Sequence, residues 1–193
     1  PYLGLRELPR EISAFELQAF FTFSRAEREL IERRRGEHHK LGLALHIGFV
    51  RMSGRPLNSV RAVPAALLRH LGQTLDIETP DVASLRALYT RGRTLFDHQQ
   101  QACEVLGFAW MSEHQRRALV RILRDEVAHT ADRERLLVRA RHWLYEHRLI
   151  IVHERAIRTL VAAALAELEA ATAASIQAAA PASTLKQWAT AVA

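Results

Sequence analysis

The chain predicts an all-α fold: tandem helix-turn-helix-like units followed by a helical bundle with a long C-terminal helix. Apolar residues recur at three- and four-residue spacing along most of the 193 residues. Capping-box starts stand at Ser24 and Ser112. No βαβ or hairpin pattern interrupts them. With 49% apolar residues the chain can build a core without disulfides. The single Cys103 can supply neither an internal bridge nor a zinc cluster, which suits a reducing cytosol.

Residues 13 to 21 form a short helix with Phe15, Leu17, Phe20 and Phe21 as its apolar face, interrupted at Thr22-Phe23-Ser24. Ser24-Arg25-Ala26-Glu27 starts the next helix, because the Ser hydroxyl and the Glu carboxylate each satisfy a backbone N–H that lacks an intrahelical partner. That helix sets Ala26, Leu30 and Ile31 on one side, carries Arg33 to Arg35 in its last turn, where cations suit the helix dipole, and stops at Gly36. A helix from His38 to Met52 follows, with Leu41, Ala44, Leu45, Gly48, Phe49 and Met52 on one face and Leu43, Ile47 and Val50 beside them. So much apolar surface implies contact on more than one side.

Gly54-Arg55-Pro56 begins a basic connector, and Val63-Pro64 opens a short helix ending near Gly72. Thr79-Pro80-Asp81 starts an element running through Val82, Leu85, Leu88 and Tyr89 to Thr90-Arg91-Gly92-Arg93. Thr94 to Leu106 is the next helix, closed by Gly107-Phe108. Ser112-Glu113-His114-Gln115 opens a helix with Leu119, Ile122, Leu123 and Val127 inward and Arg116, Arg117, Arg121 and Arg124 largely outward. Thr130 caps a helix carrying Leu136, Leu137, Ala140 and Trp143-Leu144. The run Leu149 to Val152 reads as a turn or buried connection, since a lone strand would have nothing to pair with. Glu154 to about Ala179 is an Ala-rich helix with Ile157, Leu160, Val161, Leu165 and Leu168, ended by Pro181. The expected division is residues 1–75, 76–110 and 111–193.

Formal net charge is +6, which favours an anionic partner, most simply nucleic acid. Arg-rich, Ala-rich usage can also reflect a GC-rich coding sequence, so position matters more than the total. From Arg51 to Arg69 every charged side chain is Arg. No stretch offers about 18 uncharged apolar residues, so no bilayer span is expected. The chain opens at Pro1 without an initiator Met, which reads as a piece of a longer polypeptide.

The basic corners carry the functional signal. Helix, corner with Gly36, helix and Gly48-Phe49 are echoed by helix, corner with Gly92, helix and Gly107-Phe108, and His39 and His98 share the 59-residue offset of Gly48 and Gly107. A helix-turn-helix binder braces one helix on the duplex and reads the major groove with the start of the next, so cations and amides gather at such corners. Arg34, Arg35, His38, His39 and Lys40 meet this at the first corner, with Arg51 and Arg55 further along. Arg91, Arg93, Thr94, His98 and Gln101 meet it at the second. Arg can read guanine, Gln adenine, and the remaining cations add salt-sensitive backbone affinity. The competing reading is an ordinary solvated helix end. A second function class, a helical assembly domain that self-associates through the Ala-rich helix, also fits the sequence.

Catalytic and metal chemistry find little support. Glu126-Val127-Ala128-His129 has the Glu-x-x-His form of di-iron bundles, but such a site needs two copies and further carboxylates. His142 with Glu146 or His147 makes no zinc set. No Gly-x-Ser-x-Gly or Walker-type loop is present, and Trp110, Trp143 and Trp188 read as packing.

Phe20-Phe21-Thr22, Arg33 to Arg35, Leu41-Gly42-Leu43-Ala44-Leu45, Arg51, Gly54-Arg55, Tyr89-Thr90-Arg91-Gly92-Arg93-Thr94, His98 and Leu106-Gly107-Phe108 stand in an order that resembles the N-terminal region of transposases of the Tn-three family of replicative bacterial transposons. Trp143-Leu144 and the Leu149 to Val152 run extend the likeness, which covers about Phe15 to Ile176. The resemblance implies an all-helical region that binds the terminal inverted repeats as double-stranded DNA, in the bacterial cytoplasm and associated with the nucleoid. It implies no catalysis and no cofactor in this stretch, because strand cutting belongs to a magnesium-dependent domain of RNase H type further along the polypeptide. The chain departs from the pattern at His153-Glu154, where a Pro or Gly turn is expected, and at His38-His39-Lys40, which matches only approximately.

Overall fold

A computed structural model describes residues 2–78, 81–90, 92–179 and 184. Arg91, the Thr79-Pro80 start signal, Pro181 and Trp188 lie outside the described residues. Within them the chain is all-α, as its periodicity predicts. The helices are α1 (Ala14–Phe21), α2 (Arg25–Glu32), α3 (Glu37–Ser53), α4 (Ala65–Leu75), α5 (Val82–Leu88), α6 (Gly92–Val105), α7 (Glu113–Val127), α8 (Arg133–Glu146) and α9 (Glu154–Ala179). They fall into two compact units: unit 1 is Pro1–Met111 with Arg141–His153, and unit 2 is Ser112–Ala140 with Glu154–Ala193.

Local chemistry sets the helix starts. Ser24 and Glu27 form the expected capping box on α2, the Glu27 carboxylate accepting from the Ser24 N–H at 2.6 Å. Ser112 and Gln115 form another on α7. Ser13 and Glu16 make a third, on α1, which the same Ser-x-x-Glu spacing already encodes. α2 ends one turn before the expected place: Arg33 is its C-cap, and Gly36, at φ 87°, turns the chain straight into α3. Arg33 to Arg35 therefore occupy the corner itself rather than a last helical turn. The start of α8 is also corrected. Asp132, not Thr130, caps it, its carboxylate accepting from the N–H groups of Glu134 and Arg135, while the Thr130 hydroxyl accepts from the Asp132 N–H.

Unit 1 is assembled around α3. Every residue from Leu41 to Val50 is buried, and α1, α2, α4, α5 and α6 all pack on it. Burying each large aliphatic or aromatic side chain there contributes about 1.5–3 kcal/mol. Two glycines permit the approach of neighbours. A Cβ on Gly48 would sit 2.1 Å from the Phe21 ring, and one on Gly42 would sit 2.4 Å from the Tyr89 hydroxyl oxygen. The Leu149 to Val152 run is a buried connection, as expected, yet it does find a partner. Leu149 bridges Ala109 in parallel, Ile150 N–H donates to the Ala109 carbonyl at 2.9 Å, and Ile151 N–H donates to Gly54 at 2.9 Å.

Unit 2 packs α7 against α9. α9 buries Ile157, Val161, Ala164 and Leu165, a single stripe at helical spacing, and its residues 169–179 are exposed. By length and composition α9 could cross a membrane, but Glu167 and Glu169 interrupt it and Glu167 pairs with Arg124 of α7 at 2.5 Å.

Candidate nucleic-acid interface

Both helix-corner-helix pairs lie in unit 1, and their second helices pack on each other: α3 crosses α6 where Gly42 meets His98. At the first corner Arg33 and Arg35 are exposed, Arg34 is half-buried, and Gly36 begins α3 with no side-chain cap on its free N–H groups. His38 is exposed beside the start of α5, where Asp81 is held below the usual carboxylate range by Ser84 first and by the His38 ring last. His39 is half-buried and meets the His98 ring edge-on at 5.7 Å. Lys40 is paired with Glu32.

At the second corner Arg93 is exposed and Thr94 half-buried. They stand four to five residues, about 6–8 Å of helix rise, from the histidine that Arg34 and His39 face. The two corners are neighbours on one unit. His98 itself is inward, 1% exposed, with Nδ1 bonded to the Tyr89 hydroxyl at 2.8 Å. Burial, then Arg34 and His39, push its pKa down to about 4, so it stays neutral at ordinary pH.

Two other sequence candidates, Arg51 and Arg55, have internal partners, and a third, Gln101, has its buried Oε1 unbonded. Arg51 donates to the Phe20 and Thr22 carbonyls at 2.6 and 2.7 Å and to the Glu27 carboxylate at 2.5 Å. It ties the α1–α2 turn onto α3. Arg55 is buried and donates to the Val152 carbonyl at 3.4 Å. Gln101 is half-buried, lining with Arg33, Ala26 and Leu30 a hollow of about 390 Å³ between α6 and α2.

Sequence reading passed over the outward face of α6. Phe96 is 63% exposed and Gln100 is exposed, so Arg93, Phe96 and Gln100 line up at i, i+3 and i+7. The spacing was available, but Phe96 was indistinguishable from a core residue. It also passed over His46, buried among Tyr89 and His98 with both ring nitrogens unbonded. Burial, then His98, take its pKa down to about 3. Its place one heptad after His39, with Gly42 between, is the signal that it shares the α6-facing side of α3. Among the described residues no group of three or more His, Cys, Asp or Glu converges as a metal site.

Over residues 2–164 the sequence matches the family described as a domain of unknown function (DUF4158). It is 66% identical over 191 residues to the transposase for insertion sequence element IS1071 in transposon Tn5271 of Comamonas testosteroni, a match that takes in 99% of this chain and 20% of that protein. It is 24% identical over 153 residues to the transposase for transposon Tn1546 of Enterococcus faecium, taking in 78% of this chain and 15% of that protein. The chain thus spans a fifth or less of the length of these relatives. Matched along most of its length, it belongs to the DUF4158 family, the N-terminal region of transposases of the Tn-three family.

Proposed function

We propose that unit 1 binds duplex DNA at the terminal inverted repeats of a transposon, as the N-terminal part of a transposase whose strand chemistry, with its magnesium, resides in polypeptide outside this chain. The observation that carries the reading is the exposed Arg93, Phe96 and Gln100 face of α6 beside the cations of the first corner. α3 is buried from Leu41 onward and offers DNA only its first turn, whereas α6 presents a continuous outer face. α6 enters the major groove, Arg93 reads a guanine edge, and Phe96 lies against a thymine methyl. Arg33, Arg34, Arg35, His38 and the uncapped start of α3 hold backbone phosphates. Arg51, Arg55 and His98 act beneath this surface by holding the corners in place.

Anisotropy titrations of the chain with inverted-repeat and scrambled duplex, across a salt series, test this. Arg34→Ala with Arg35→Ala weakens both duplexes alike and makes the slope of log K against log salt shallower by about 2. Arg93→Ala costs about 1–3 kcal/mol on the matching duplex and little on the scrambled one. Equal affinity of the unaltered chain for both duplexes sinks specific recognition, and no binding sinks the DNA reading. A second reading, assembly through α9, is favoured by the exposure of residues 169–179. It requires a mass that grows with protein concentration and DNA behaviour indifferent to Arg34 and Arg35.

A further inference from the structure

Unit 2 carries its own cationic groove. Arg116, Arg117, Arg121 and Arg124 of α7 line an open groove of about 500 Å³ whose other wall is Leu160, Ala163 and Ala164 of α9. Ala163 and Ala164 keep that wall low, so the guanidinium groups are not roofed over by large side chains. Arg117, Arg121 and Arg124 follow at i, i+4 and i+7, one helix face about 10 Å long. Two carboxylates temper the charge. Glu113 accepts from Arg116 at 2.8 and 2.9 Å, and Glu167 accepts from Arg124 at 2.8 Å. Arg117 donates to the Glu113 carbonyl at 3.4 Å and its charge is felt by the Glu113 carboxylate, while Arg121 is exposed. Both acid pairs are bidentate but solvent-exposed, so water screens them and a phosphate can compete for the same guanidinium groups. Four guanidinium groups against two carboxylates leave the groove positive.

We propose that this groove is a second DNA contact, one that grips the phosphate backbone without reading sequence. Arg117 and Arg121 are its principal cations, and Arg116 and Arg124 are released from their carboxylates as phosphate arrives. The proposal rests on the DNA reading of unit 1, and it adds a surface to it. Backbone contacts of this type raise affinity equally for every sequence and add to the salt dependence one phosphate at a time.

The test compares the full chain with Arg117→Gln/Arg121→Gln, which removes two charges from exposed positions and keeps good helix formers, and with Arg34→Ala/Arg35→Ala. The expected result is that the α7 variant binds inverted-repeat and scrambled duplex more weakly by the same factor, about tenfold near 150 mM salt, and that its salt slope is shallower by about 2. Unchanged affinity and slope in the α7 variant, with the corner variant still impaired, overturn the groove and leave the DNA reading standing. No duplex binding by the unaltered chain overturns both. Calorimetric binding of inorganic phosphate that the α7 variant loses, with duplex affinity intact, overturns the proposal in favour of a small-anion site.

Discussion

α3 and α9 are both apolar, long and poor in charge, yet they end in opposite environments. α3 is buried on all sides for ten consecutive residues, from Leu41 to Val50. α9 is longer, reaches a mean hydropathy of 1.4 over an 18-residue window, and buries one narrow stripe. The difference lies in side-chain size and in the glycines. Leu, Ile and Phe on α3 supply area on several faces, and Gly42 and Gly48 let Tyr89, His98 and Phe21 close in. Alanine on α9 supplies helix propensity with little area to bury. Apolar composition measures the first quantity poorly, because it counts alanine and leucine alike.

The sharpest way to break this contrast is to fill a glycine on α3. Gly48→Ala places a methyl 2.1 Å from the Phe21 ring, which is itself fully buried and has no room to retreat. Overpacking of this kind costs about 3 kcal/mol. Chemical denaturation of the variant should show a matching fall in midpoint, while Ala174→Leu on the exposed part of α9 changes stability by less than about 0.5 kcal/mol. Equal effects at the two positions would mean that close packing around α3 is not what holds unit 1.

The second expectation concerns the histidines that α3 and α6 enclose. His46 and His98 have folded pKa values of about 3 and about 4 against 6.5 for the free side chain, so both are neutral in the fold. The unfolded chain takes up protons near 6.5 and the folded chain does not. Stability is therefore complete above that pH and declines as the pH falls toward 4, by up to about 1.4 kcal/mol per pH unit for each ring. Midpoints measured from pH 7.5 to 4.5 check the slope. His46→Leu, which replaces two unbonded nitrogens with hydrocarbon, should be neutral or stabilising at pH 7 and should flatten the acid limb. An unchanged slope would place the acid sensitivity elsewhere.

These residues also mark how far the sequence could be read. Capping boxes at Ser24 and Ser112 and the reversal at Gly36 located their helices, because each is a local bond pattern written in adjacent residues. Membership of the Tn-three-type region was legible in the order of short motifs such as Leu106-Gly107-Phe108. What was not legible was long-range. Arg51 and Arg55 stood in an acid-free run and read as cations for DNA, but their partners are carbonyls 31 and 97 residues away. Phe96 was passed over because only the packing of α6 on α3 decides which of its faces is left outside. The extended Leu149 segment lacked a partner in the sequence because Ala109 lies in an unpatterned loop.

The smallest expected effect lies at the far end of α9. Ser175 donates to the Ala171 carbonyl at 2.9 Å, and the residues around it touch little else, so propensity alone governs residues 169–179. Thr172→Ala removes a β-branched side chain from an exposed helical position and should raise stability by up to about 0.5 kcal/mol. Amide exchange in this segment should be much faster than in α3, whose amides open only with unit 1 as a whole. Slow exchange there that becomes fast on dilution would mean that a second chain covers the helix. The assembly reading would then account for a surface that α7 leaves open, and the α3–α9 contrast would hold only for the isolated chain.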